Sequence, residues 1–149
     1  MKNSDKAVLS FQKGFNCAQS VLLAFSDEFG LDKKTSLKIS CAFGGGMGRM
    51  QKTCGAVTAA FMVIGLKYGR YTLEDKDAKE LTYKLARNFA KEFKKLHKSI
   101  SCRKLLGYDV TTKRGLEEAN EKNAFSNCDK FIKDASEILE KMLKKKGEL

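Results

Sequence analysis

Gly44-Gly45-Gly46-Met47-Gly48, followed after a polar hinge by Cys54-Gly55-Ala56-Val57-Thr58-Ala59-Ala60-Phe61-Met62-Val63-Ile64-Gly65-Leu66, is the stretch that decides the fold. Across residues 56–66 only Thr58 is clearly polar, so a helix there has no solvated stripe. A helix that is apolar all round belongs in the middle of a bundle, covered by other helices. The reading is a buried central helix over about residues 54–68, preceded by a glycine-rich loop. Cys54 falls at its start, just past a run of backbone amides. Unpaired N–H groups and the positive helix end favour a thiolate over a thiol. Cys54 is therefore expected to have a lowered pKa and to be the most reactive thiol.

Helical signals flank this stretch on both sides. Ser4 and Asp5 are placed to cap a first helix reaching Lys13. A second runs from about Asn16 to Phe29 and ends at Gly30, and Asp32 starts a third that continues through Ala42. Downstream, Thr72 and Asp75 resemble a capping box for a long helix over about residues 73–97. On it Leu81, Leu85, Phe89, Phe93 and Leu96 share one face. A short helical piece follows Cys102, residues 111–123 are polar and helical or looped, and a last helix spans about residues 129–145. No convincing period-two apolar run occurs. The expected class is all-α: one helical bundle over residues 1–149.

Composition narrows the functional field. The apolar share is 42% in 149 residues, enough for a real core, and proline is absent. The apolar run at residues 59–69 is too short to span a bilayer. The first six residues hold no apolar signal core, which points to the cytoplasm. Net charge is +11, concentrated at residues 91–98 and 141–146 near predicted helix ends. Lysine there complements the negative dipole end, and no aromatics are interleaved for base stacking. A solvated basic face is expected, with nucleic acid and membrane disfavoured as partners. His97, the single histidine, lies in the first lysine-rich segment and is expected to be solvated.

The five cysteines carry the chemistry: Cys17, Cys41, Cys54, Cys102 and Cys128. No C-x-x-C pair occurs, which removes thioredoxin motifs, zinc ribbons and c-type haem attachment. Cys17, Cys54 and Cys102 fall at or near helix starts and Cys128 just before one, whereas Cys41 comes late in its helix. Gly44, Gly45, Gly46 and Gly48 read either as a tight turn between helices or as a pocket for a small anion or substrate. The loop lacks the lysine and hydroxyl of a P-loop and no strand precedes it, so a nucleotide is not expected.

Taken together, these blocks resemble the family named for its cysteine pattern, C-GCAxxG-C-C. The likeness is carried by Gly14-Phe15-Asn16-Cys17-Ala18-Gln19-Ser20-Val21-Leu22, by Phe43-Gly44-Gly45-Gly46-Met47-Gly48 and by Cys54-Gly55-Ala56-Val57-Thr58-Ala59. Cys102-Arg103-Lys104-Leu105-Leu106-Gly107 and Cys128 complete it. The resemblance implies redox activity, with Cys17, Cys54, Cys102 and Cys128 as the family's four cysteines and Cys41 as an extra. The sequence departs from the pattern where Thr53 replaces the first glycine, Gly55 replaces the alanine, and Ala59 or Ala60 replaces the closing glycine. The departures bear on how closely the next helix packs. A similarity to cysteine-bearing helical parts of multi-centre electron-transfer proteins keeps an iron–sulfur cluster in view.

Three classes of function follow. In the first, the four cysteines act in thiol–disulfide or electron-transfer chemistry, as in a thiol-dependent oxidoreductase working on a redox partner or small molecule. In the second, the same four hold zinc or an iron–sulfur cluster. The third is a basic interaction module whose cysteines only pack. A homodimer is compatible with all three. Convergence of the four thiols, with Cys41 apart, is the expectation that separates the first two classes from the third.

Overall fold

The computed structural model describes residues 1–145. The far end of the expected basic run, Lys146, lies outside the described residues. The fold is all-α. In chain order the helices are α1 (Asn3–Lys13), α2 (Cys17–Ser26), α3 (Lys33–Ser40), α4 (Gly44–Met47), α5 (Gly55–Tyr68), α6 (Lys76–His97), α7 (Cys102–Leu106), α8 (Lys113–Glu121) and α9 (Cys128–Lys144).

The central helix is α5. It packs on α2, α6 and α9, and its Ala56, Val57, Ala59, Ala60, Val63 and Ile64 are buried. Small residues on this helix let its neighbours approach closely, and large side chains from those neighbours fill the core. Phe25, Phe89, Phe93, Ile132 and Leu139 are fully buried. Cover is not complete on every side, since Leu66 is 40% exposed near the helix end. A smaller apolar cluster of Leu106, Val110, Ala119 and Ala124 lies under α7 and α8, and Cys128 packs against both clusters.

Several helix limits differ from the sequence reading. α1 begins at Asn3 with no side-chain cap, and Ser4 lies buried inside its first turn. Asn3 is occupied elsewhere, donating to Glu28 Oε1 at 2.7 Å. The long helix begins three residues later than expected. Asp75 itself is the N-cap, accepting from the Ala78 N–H at 3.0 Å, and Leu73 is left 80% exposed in the preceding turn. Its core face runs Leu85, Phe89, Phe93 and then His97, not Leu96, which is 57% exposed.

That register corrects the view of His97 as solvated. Its side chain is only 9% exposed, bonds Asp134 Oδ2 at 2.8 Å and sits 4.7 Å from the Phe93 ring and 5.0 Å from the Phe131 ring. The steady spacing of four from Phe89 through Phe93 carries position 97 onto the buried face. The surrounding lysines stay outside.

The glycine loop is more ordered than a plain turn. Gly45, Gly46, Met47, Gly48 and Arg49 have φ of 66, 67, 68, 61 and 62°, one continuous turn of left-handed helix. Only glycine enters this region without steric cost, and an L-residue there loses roughly 1–2 kcal/mol. Met47, Arg49 and also Gln51 (φ 57°) bear that cost. Hydrogen bonds hold the turn: Gln51 N–H to Gly45 O at 3.0 Å and Lys52 N–H to Gly46 O at 2.9 Å. The chain then pairs with the start of α7 through a single antiparallel bridge, Thr53 with Ser101. Cys54 N–H donates to Ile100 O and Cys102 N–H to Lys52 O, both at 2.7 Å.

Candidate thiol site

Each of the four family-pattern cysteines is fixed by a helix start. Cys17 is the first residue of α2, behind a capping box in which the Gln19 N–H donates to Asn16 Oδ1 and the Asn16 N–H to Gln19 Oε1. Cys54 is the N-cap of α5, and Cys102 and Cys128 open α7 and α9. The structure gathers these four around one cavity of about 640 Å³. Cys41 lines the same cavity, so the expectation that it stands apart does not hold. It belongs to a short 3₁₀ turn, Cys41–Phe43, after the end of α3, and is exposed. Asn16 Nδ2 donates to its carbonyl at 2.9 Å, which draws that turn against the start of α2. All five cysteines are free thiols.

Cys17 is the centre of the set. The backbone amides of Gly45, Ala18 and Gly55, together with its own, favour the charged form of its sulfur. A Cβ added at Gly55 would stand 2.5 Å from that sulfur, so the missing side chain at Gly55 is the space Cys17 occupies. Burial still wins over the amides and raises the Cys17 pKa. Cys17 is also the largest like-charge influence on Cys54, Cys102 and Cys128 alike.

The expected low pKa of Cys54 is overturned. The residue is 6% exposed, and burial followed by the charge on Cys17 pushes its thiol well above the ordinary value. Only the Ala56 N–H opposes this shift. The amides that the sequence placed beside Cys54 reach Cys17 instead, because the left-handed turn folds Gly45 over the start of α2. Burial also lifts Cys102 to about 11 and Cys128 to about 12.

The four glycines divide their roles. Gly45 supplies an amide to Cys17, and Gly44 packs where an added Cβ would meet Asn16 Nδ2 at 2.5 Å. Gly46 is buried against α7, where a Cβ would lie 2.7 Å from Cys102 Cβ. Gly48 faces the cavity from within the left-handed turn.

Gln51 was not singled out in the sequence, yet it ties the site together. It is buried, accepts from the Val110 N–H at 2.8 Å, donates to Tyr108 O at 2.8 Å, and its side chain favours the charged form of Cys102. No local pattern marks it, since its partners lie more than fifty positions away. The Asn16–Gln19 box is different. Asparagine followed three residues later by glutamine just before an apolar run is a readable helix start.

Among the described residues, no three side chains of the types His, Cys, Asp and Glu form a ready-made metal-ligand set. No described helix is long and apolar enough to cross a membrane. The charge excess gathers partly in a second, open cleft where Lys52, Lys94, Lys98, Arg103 and Lys104 meet Asp109.

An all-α protein that presents helix-start cysteines to one shared cavity, with backbone amides aimed at one of the sulfurs, belongs to the thiol-bearing helical proteins. More narrowly, the chain belongs to the family described as "Putative redox-active protein (C_GCAxxG_C_C)", whose pattern matches residues 15–142. No curated protein and no solved structure matches it.

Proposed function

We propose that this protein carries out thiol–disulfide exchange, with Cys17 as the attacking sulfur and a second cavity cysteine as the resolving one. The observation that supports this reading is the convergence of the Gly45, Ala18 and Gly55 amides on Cys17, the thiol that also acts on the other three. Those donors stabilise a thiolate, the nucleophilic form. The Cys17 thiol first gives up its proton to solvent; the thiolate so formed attacks one sulfur of a substrate disulfide, and the other leaves as a thiolate with the bonding electrons and takes up a proton. Cys54, Cys102 or Cys128 then gives up its proton, attacks the Cys17 sulfur and releases the second substrate thiolate. Two protein thiols become one disulfide and the substrate disulfide becomes two thiols. A set of free thiols suits the reducing cytoplasm, and residues 1–149 act as one helical domain.

Four thiols also have the right chemistry for zinc or an iron–sulfur cluster. No three-residue ligand set stands ready among the described residues. Protein purified without oxygen, equilibrated in graded thiol–disulfide buffers and mapped by mass spectrometry, tests it. One reversible disulfide containing Cys17 is expected. A Cys17 that stays reduced throughout, or stoichiometric iron or zinc in the same preparation, would overturn the proposal.

A further inference from the structure

The cavity wall is chemically lopsided. Phe11, Phe15, Phe125 and Phe131 contribute aromatic surface, and Arg49 is the one charged side chain in the lining. No carboxylate lies in the wall to neutralise it, and Arg49 forms no ion pair among the described residues. Its position is unusual as well. At φ 62° the backbone favours glycine or asparagine, so the turn itself gives no reason for an arginine. An added Cβ at Gly45 would lie 2.8 Å from Arg49 Cγ, so the arginine stem folds back over the residue whose amide reaches Cys17.

We infer that the cavity takes a low-molecular-weight disulfide with an apolar or aromatic body and an anionic group, and that Arg49 reads the anion. This rests on the exchange reading above and adds the substrate class. Guanidinium matches a carboxylate through two parallel hydrogen bonds, which orients as well as attracts. The aromatic wall takes the body, leaving the disulfide beside Cys17. Cys17 and a resolving thiol together give up two electrons and two protons, and the bound disulfide leaves as two thiols.

Two aromatic disulfides separate charge from shape. One is 5,5′-dithiobis(2-nitrobenzoate), with a carboxylate on each ring, and the other is neutral 4,4′-dithiodipyridine. Rates are measured on reduced protein carrying Cys41→Ser, so that the exposed thiol does not contribute, and the modified cysteines are mapped. Arg49 is exposed at the cavity mouth, so Arg49→Gln is expected to lower the ratio of anionic to neutral rate by up to about fivefold, the scale of one exposed ion pair. Arg70→Gln, an equal loss of charge at a residue that is likewise exposed but lies outside the cavity lining, is expected to leave the ratio unchanged. Arg49→Gly guards against misfolding: it should lower the ratio likewise while thermal stability holds or rises, because the left-handed φ then suits the residue. An unchanged ratio in both Arg49 variants, or an equal fall with Arg70→Gln, overturns the assignment. Failure of both probes to oxidise any cavity cysteine in the parent protein removes the exchange reading itself, and the substrate class with it.

Discussion

Gly55→Ala restores the alanine of the family pattern, and the structure predicts that this protein will not accept it. The new methyl group would stand 2.5 Å from Cys17 Sγ, 2.9 Å from Phe43 O and 3.1 Å from Ala18 N. Apolar contacts are comfortable at about 3.5–4.0 Å, so sulfur or methyl must move by roughly 1 Å. The sulfur can rotate, but the Phe43 carbonyl is backbone and cannot turn aside cheaply. Overpacking of this kind costs about 1–3 kcal/mol. Against it stands the helical preference for alanine over glycine, at most about 1 kcal/mol and less at the first position of α5. The net is a destabilisation of about 1–2 kcal/mol, or a Tm lower by about 2–8 °C for a chain of this length. Displacement of the sulfur also weakens its bonds to the Gly45 and Gly55 amides, so Cys17 should alkylate more slowly at neutral pH. Urea unfolding gives the first quantity and site-mapped alkylation the second. A variant more stable than the parent, with Cys17 alkylating at the parental rate, would refute the placement of Cys17 against Gly55.

Burial raises all four family-pattern thiols, so each is protonated at neutral pH and alkylation of the cavity set should climb steeply as pH rises through 9 to 12; a plateau by pH 8 would contradict this. The folded values exceed the unfolded ones, so this contribution to stability is complete below about pH 8.5 and is lost as pH rises through about 11 for Cys102 and about 12 for Cys128. Denaturant midpoints are therefore expected to fall on the alkaline side, and to fall less in Cys128→Ser. Gln51→Ala strands the buried Val110 N–H and should cost about 1–3 kcal/mol in equilibrium unfolding; a loss below about 0.5 kcal/mol would mean that the bond contributes nothing. Asn16→Ala removes the α2 cap at about 0.5–2 kcal/mol, whereas Asn16→Asp keeps the acceptor for Gln19 and loses only the donor to Cys41 O. Equal unfolding midpoints for the two variants would count against the capping role.

The helical class was legible because its evidence is local. Gly30 takes the left-handed cap position expected of it, Asp32 caps α3 by accepting from the Thr35 N–H, and the central helix followed from a window with one polar residue. The limits that failed were decided at a distance. Ser4 is a good cap by type, yet Asn3 bonds Glu28 and Ser4 is buried inside the first turn. Leu96 and His97 are adjacent; the spacing of four through Phe89 and Phe93 carries His97 inward, and Asp134 on α9 gives its ring a polar partner there. At the site, helix-start cysteines pointed to a common chemistry, and all four line one cavity. Which sulfur receives the amides depended on the hand of the turn at residues 45–49, and no composition rule states that hand. Gln51, Arg49 and the aromatic wall stayed hidden because each acquires its role from residues far along the chain.

The left-handed turn makes this part of the protein a mirror image of ordinary helix. Its three glycines are achiral and indifferent to the inversion, whereas Met47 and Arg49 are residues of the wrong stereochemistry for the conformation they hold. The polypeptide thus contains a short segment for which D-amino acids would be the natural building blocks. In a chemically assembled chain, D-alanine at position 48 would satisfy the backbone that L-alanine opposes, and the difference between those two diastereomers would measure how firmly the cavity enforces the inverted hand.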